Sequence, residues 1–144
     1  GWTENPTYSS HSSDGHLEAV KVTFDPEVIS YRELLDIFWR TIDVTDDGGQ
    51  FCDRGPSYRT AIFVADADER TIAEASKAET AEALGDEIVT EIIDATAFWP
   101  AEDYHQDFYL ESSLRYTGYR FACGRDRRVK QVWGEAAYQG VEKD

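Results

Sequence analysis

Residues 60–93 read TAIFVADADERTIAEASKAETAEALGDEIVTEII, and this stretch decides the fold class. Its first part, 60–65, is a short apolar run centred on Ile62, Phe63 and Val64, the pattern of a strand. Residues 66–84 are then rich in Ala and Glu, strong helix formers, and Gly85 ends the run. A second short apolar run over 88–93 predicts another strand. Strands interleaved with helices define an α/β or α+β sandwich.

Working outward, residues 17–24 place Val20, Val22 and Phe24 at period two with Lys21 and Thr23 between them, which predicts a half-buried strand. Asp25-Pro26 stops it. Ser30 then precedes a helix, with Glu33 three residues on to complete a capping box and with Leu34, Leu35, Phe38 and Trp39 as the apolar face. Residues 1–15 are Ser-, Thr- and Gly-rich and predict an extended loop, with a turn at Asn5-Pro6. A long polar loop spans 43–57; it holds a Cys, an aromatic and several charges, which favours a functional role. Toward the C-terminus, Phe98-Trp99-Pro100 leads into a short helix over 101–110. A final helix covers 126–137, with Val129, Val132 and Trp133 on one face. Without a repeat, linker or low-complexity tract, residues 1–144 form one domain.

Composition excludes several function classes. Hydrophobic residues make up 41% and aromatics 13%, enough for a packed core. No apolar run reaches the roughly 20 residues of a membrane span. Lys+Arg number 14 against 29 Asp+Glu, and a net charge of −15 repels phosphate backbones and anionic lipids. Neither a nucleic acid nor a membrane is therefore expected as a partner. The 2 Cys are too few for a disulfide scaffold but enough for one redox pair.

Polar groups gather beside aromatics in four places: Asn5 to Tyr8, Gly15 to Val20, Gln50 to Arg59, and Ala101 to Gln106. Taken singly, each has a plain reading. Glu18 is a solvated carboxylate at a strand start, and Tyr8 and Tyr58 are packing aromatics. Glu102, Asp103 and His105 match no standard metal-ligand spacing and read as helix-capping groups. His11 and His16, in a Ser/Gly-rich loop, are expected to face solvent.

Taken in register, the segments carry more. Asn5-Pro-Thr-Tyr8, Gly15-His-x-Glu18-Ala-Val, Asp25-Pro with Ile29-Ser-Tyr31, and Phe38-Trp39 resemble the A-type peptide methionine sulfoxide reductases. So do Gln50-x-x-Asp53-x-Gly55-x-x-Tyr58-Arg59, Thr90-Glu-Ile92 and Ala101-Glu-Asp-Tyr-His-Gln106, in an order that holds from Gly1 to about Trp133. The resemblance implies a ferredoxin-like two-layer α+β sandwich. It also implies reduction of methionine S-sulfoxide, free or in peptides and proteins, through a cysteine sulfenic acid and then a disulfide. Thioredoxin, or dithiothreitol in vitro, is the implied reductant, with no metal or organic cofactor, and the protein is expected to be a cytoplasmic monomer.

The chemistry explains why such residues are needed. Sulfoxide reduction attacks sulfur while its oxygen gathers negative charge, and that oxygen must be protonated or strongly hydrogen-bonded in the transition state. On the family pattern Glu18 is the acid, kept protonated by an aromatic pocket, and the Tyr8 and Tyr58 hydroxyls donate beside it. Asp53 orients this network or the substrate backbone; His105 and Asp103 support the pocket. Cys123, near Arg127, Arg128 and a helix N-terminus, and Cys52, beside Asp53, are candidates for the resolving thiol, with an inert structural Cys as the alternative for each.

This sequence departs from the pattern in places. Ile42-Asp43-Val44-Thr45 stands where the family usually shows His-Asp-Pro-Thr. The family's nucleophile lies in a Gly-Cys-Phe-Trp segment that nothing in these 144 residues matches, so the domain is read as N-terminally truncated. The rival reading is a non-catalytic binding or interaction module that retains the pocket. The 144-residue polypeptide alone is accordingly expected to turn over no methionine sulfoxide; product formation with dithiothreitol is the measurement that checks this.

Overall fold

The computed structural model describes residues 1–141. In chain order it comprises α1 (Tyr31–Trp39), β1 (Gly49–Gln50), β2 (Asp53–Arg54), β3 (Ala61–Val64), α2 (Ala67–Leu84), β4 (Glu91–Asp94), α3 (Phe108–Glu111), α4 (Ser113–Ala122) and α5 (Arg125–Trp133). Helices thus combine with two small sheets, one an antiparallel β1–β2 pair and the other a parallel β3–β4 pair, which is an α+β arrangement.

The central stretch forms a β3–α2–β4 unit, in which parallel strands need a long crossover and α2 supplies it. The Asp66 side chain accepts from the Glu69 N–H to cap α2, and Gly85 ends it in the left-handed conformation, φ 65°. Paired strand β4 starts at Glu91, later than the apolar run suggests, because Ile88 and Val89 are engaged elsewhere. Ile88 is buried in the core, and the Val89 N–H bonds the Val44 carbonyl at 2.9 Å. Side chains complete the join between the strands, with a buried Thr60–Thr90 hydroxyl contact of 2.8 Å.

Helix α1 has the expected capping box, with Ser30 and Glu33 each bonding the other's backbone. Leu35 and Trp39 of its apolar face pack with Ile62, Val64, Ala73, Ile88 and Val44 in the core. The indole N–H of Trp39 donates to Ser76 Oγ at 2.5 Å, so the one polar atom of a fully buried Trp is satisfied inside the α1–α2 contact. Val129 brings α5 into contact with the interior, and Val132 and Trp133 pack against the same core.

Several local expectations are corrected. Residues 17–24 form no strand; Val20 is 90% exposed, and among the described residues the segment has no neighbouring strand to pair with. Its one backbone bond there runs from the Glu18 N–H to the Ser57 carbonyl. Residues 7–16 are a succession of tight turns, with the His11 N–H bonding Thr7 and the Asp14 N–H bonding Ser10, where an extended loop was expected. The helix expected over 101–110 divides into a 3₁₀ turn, Asp103–His105, and α3, separated by Asp107 at φ 50°. Helix α4, whose residues are all at least partly exposed, has no counterpart in the sequence expectations.

One covalent tie crosses the fold. Cys52 in the β1–β2 turn is bonded to Cys123 at the end of α4, 71 residues away in sequence, with Cα atoms 5.2 Å apart. Closing a loop of that length restricts the unfolded chain by about 4 kcal/mol in the chain-entropy account. Reduction is therefore expected to lower the thermal midpoint by on the order of 10 °C, read by calorimetry with and without reductant.

Candidate functional site

Three segments converge on one imidazole. His11 is only 9% exposed, although its sequence setting predicted a solvent-facing side chain. The tight turns fold the ring back under Tyr8, with Nδ1 2.6 Å from the Tyr8 carbonyl. A carbonyl can only accept, so Nδ1 carries the proton. Nε2 faces Ser12 Oγ at 3.2 Å and Glu18 Oε1 at 3.5 Å. In the neutral ring Nε2 accepts from the Ser12 hydroxyl; when protonated, it pairs with Glu18.

Aromatic rings pack around the imidazole. Tyr8 stacks on His11 with centroids 5.5 Å apart, and Tyr58 meets His11 edge-on at 6.1 Å. His105 tilts against Tyr8 at 5.0 Å. Glu102 anchors the same corner by accepting from the Tyr8 N–H at 2.9 Å, a bond that holds its carboxyl below the usual range. The Glu18 N–H bond to Ser57 and a 3.1 Å Ser57–Ser12 hydroxyl contact lace the turns to the loop that carries Tyr58.

The structure therefore brings Tyr8, Glu18, Asp53 and Tyr58 together. Burial pushes the Tyr58 hydroxyl up from its ordinary value, and Glu18, Tyr8 and Asp53 each push it further. Tyr58 so stays a hydrogen-bond donor through neutral pH. The Glu18 side chain is 50% exposed, however, so the described residues leave open the enclosed aromatic pocket expected around it. Asp103 is exposed, and among the described residues its side chain makes no hydrogen bond or ion pair with the cluster. Its neighbour Glu102 holds the contact instead.

Beyond Tyr58, Asp53 accepts a 2.5 Å hydrogen bond from the Tyr119 hydroxyl. Burial first and that bond second push Tyr119 up to about 12. Cys52 and Cys123, the expected candidates for a resolving thiol, are bonded to each other, so neither is a free thiol here. His11 and Tyr119 escaped the sequence reading. His11 carried one usable signal, its position three residues after Tyr8 in a turn-forming Ser-rich run; Tyr119 carried none. Among the described residues, no group of three or more His, Cys, Asp or Glu is placed to hold a metal ion, and no helix is long and apolar enough to cross a membrane.

The chain is similar to known proteins. The family model described as peptide methionine sulfoxide reductase matches residues 1–137. The chain is 48% identical over 141 residues to peptide methionine sulfoxide reductase MsrA 2 of Rhizobium meliloti (strain 1021), covering 98% of this chain and 71% of that protein. It is 49% identical over 138 residues to MsrA of Bacillus subtilis (strain 168), covering 93% and 78%. Among solved structures, methionine sulfoxide reductase A of Corynebacterium diphtheriae is similar with a TM-score of 0.65 and 30% identity, over 79% of this chain and 60% of that one. Reduced Mxr1 from Saccharomyces cerevisiae gives a TM-score of 0.60 and 32% identity, over 62% of this chain and 50% of that one. The chain therefore spans half to three-fifths of those two solved chains. It belongs to the peptide methionine sulfoxide reductase family, A type, a family of protein-repair oxidoreductases.

The tyrosines make a pH prediction. Tyr31, Tyr119 and Tyr138 are each raised to about 12, chiefly by burial. A raised value in the folded state means that the folded chain keeps protons the unfolded chain has lost near pH 10. Their contribution is complete below about pH 10 and is lost as pH rises toward 12. Urea unfolding at a series of pH values is expected to show stability falling across this window, with a shallower slope in Tyr119→Phe.

Proposed function

We propose that the protein carrying this chain reduces methionine S-sulfoxide, free or in proteins, to methionine by thiol chemistry, with thioredoxin as reductant and no metal or organic cofactor. The observation that carries the reading is the convergence of Tyr8, Glu18 and Tyr58 around His11, with Asp53 acting on Tyr58, in a member of the methionine sulfoxide reductase family. We further propose the ferredoxin-like two-layer arrangement for the whole domain, with the β3–α2–β4 unit as part of it.

The residues present supply the acid side of the reaction. A thiolate attacks the sulfoxide sulfur, an S–S bond forming as the S–O bond breaks and the protonated oxygen departs as water. Water oxygen then displaces the thioether from the thiol sulfur, which releases methionine and a proton and leaves a sulfenic acid. Glu18 delivers the proton that the departing oxygen needs, while the Tyr8 and Tyr58 hydroxyls hold the developing charge. His11, beside Glu18 at 3.5 Å, sets the carboxyl's orientation. His105, against Tyr8, keeps that ring in place. Asp53, held by the Tyr119 hydroxyl, orients the substrate backbone.

In this division of labour the proton donor acts in the chemical step and not in binding. Glu18→Gln in the full-length protein is expected to slow sulfenic acid formation by orders of magnitude while leaving substrate affinity within a few-fold. Single-turnover kinetics check both quantities, and an unaltered rate removes Glu18 from the acid role.

A further inference from the structure

Three consecutive residues of the β1–β2 turn are each held by the C-terminal helical segment. Phe51 lies under the Arg125 guanidinium at 4.2 Å from its ring centroid, Cys52 is bonded to Cys123, and Asp53 accepts from Tyr119 at 2.5 Å. Tyr119 and Cys123 are four residues apart at the end of one helix, so they share a face, and adjacent loop residues meet them as adjacent rungs. We propose that the Cys52–Cys123 disulfide is a positioning clasp that holds the Asp53 carboxylate against Tyr119 for substrate recognition, and that its sulfurs stand outside the thiol cycle of turnover.

The turn needs such a clasp. Gln50 and Arg54 tie the strands of the hairpin to Asp43 and Asp46, but Phe51 within the turn sits at φ 55°, and among the described residues the Asp53 carboxylate has a single hydrogen bond, the one from Tyr119. Helix α4 is equally unable to hold the position alone, because none of its residues is buried. The fixed frame is α5. Val129 is fully buried, and Arg128 pairs with the buried Asp43 at 2.5 Å. Cys123 sits at the junction of α4 with α5, one residue before the Gly124 that begins the anchored helix. A bond from Cys52 to that junction transmits the frame to Asp53.

Closing the clasp joins two thiols into one disulfide, with two electrons and two protons passing to a small-molecule disulfide such as oxidised glutathione, which leaves as two thiols. In the closed state each sulfur has the other as its partner, so neither is available to attack a sulfenic acid.

The proposal rests on the reading of Asp53 as a substrate-orienting group, and the experiment separates the two. In the full-length protein, single-turnover kinetics without reductant compare wild type, the double variant Cys52→Ser/Cys123→Ser, Tyr119→Phe and Asp53→Asn, using N-acetyl-methionine S-sulfoxide. Alkylation and intact mass first establish the state of the pair in the wild type. The disulfide is expected closed, and recovery of two alkylated thiols at these positions overturns the clasp. The double variant and Tyr119→Phe are each expected to raise the half-saturating substrate concentration about tenfold or more, the scale of one hydrogen bond to a charged group, with the maximal rate within about twofold. If the double variant fails to fold, Tyr119→Phe, which removes one hydroxyl, carries the test. Unchanged half-saturation in these variants alongside a clear rise in Asp53→Asn overturns the clasp alone; no rise in Asp53→Asn overturns the reading beneath it. With thioredoxin in the steady state, kcat of the double variant is expected within about twofold of wild type. A loss of tenfold or more, with single turnover intact, marks the pair as resolving thiols and overturns the proposal.

Discussion

The ion pair between Asp43 and Arg128 is the junction on which the site depends. Asp43 is buried, and a carboxylate in that position needs every one of its bonds made. One oxygen accepts from the Thr45 N–H and hydroxyl, and the other accepts from Arg128 at 2.5 Å. Its own N–H and carbonyl are bonded by the Gln50 amide. A single residue thereby joins the exit of α1, the start of the β1–β2 turn and the body of α5. Ile42 and Val44 on either side of it are buried, so apolar packing holds the segment in place while the charge ties it to α5.

The site is built on top of that junction from parts that carry little order of their own. Residues 7–16 have neither strand nor long helix; their shape comes from Ser and Thr hydroxyls and from the buried imidazole that closes on its own backbone. Short polar residues compete well for local backbone bonds, which lets a turn-rich segment hold Tyr8 and Glu18 without a sheet beneath them. Aromatic stacking through His11 then joins this segment to Tyr58, and Glu102 joins it to the 101–106 stretch.

The parts of the fold legible in sequence were those whose stability is local. The α1 capping box, the Ala/Glu-rich α2 with its Gly85 stop, and the apolar run of β3 each follow from residues within a few positions of one another. The strand expected at 17–24 shows the limit of that reasoning. Alternating Val20, Val22 and Phe24 state a preference, but a strand exists only when another lies beside it. Helix α4 was missed for a different reason: none of its residues is buried, so no packing against the core sets the segment apart. Among the candidate site residues, Tyr8, Glu18, Asp53 and Tyr58 were singled out by the register of short motifs that resemble a known family. His11 was misplaced, because burial of a His in a polar loop depends on what folds over it.

By itself, then, the sequence determined the family, the α+β class, the helix boundaries marked by caps and the motif residues that make up the candidate site. The class and the helix ends follow from short-range spacing, whereas the family and the candidate residues follow from the resemblance of a series of short motifs to a known family. Tertiary structure alone decided that Cys52 pairs with Cys123 across 71 residues, that Tyr119 faces Asp53, and that His11 stands between Tyr8 and Glu18. Each is a contact between groups with no fixed sequence separation, and only the packing of the chain on its core brings them within bonding distance.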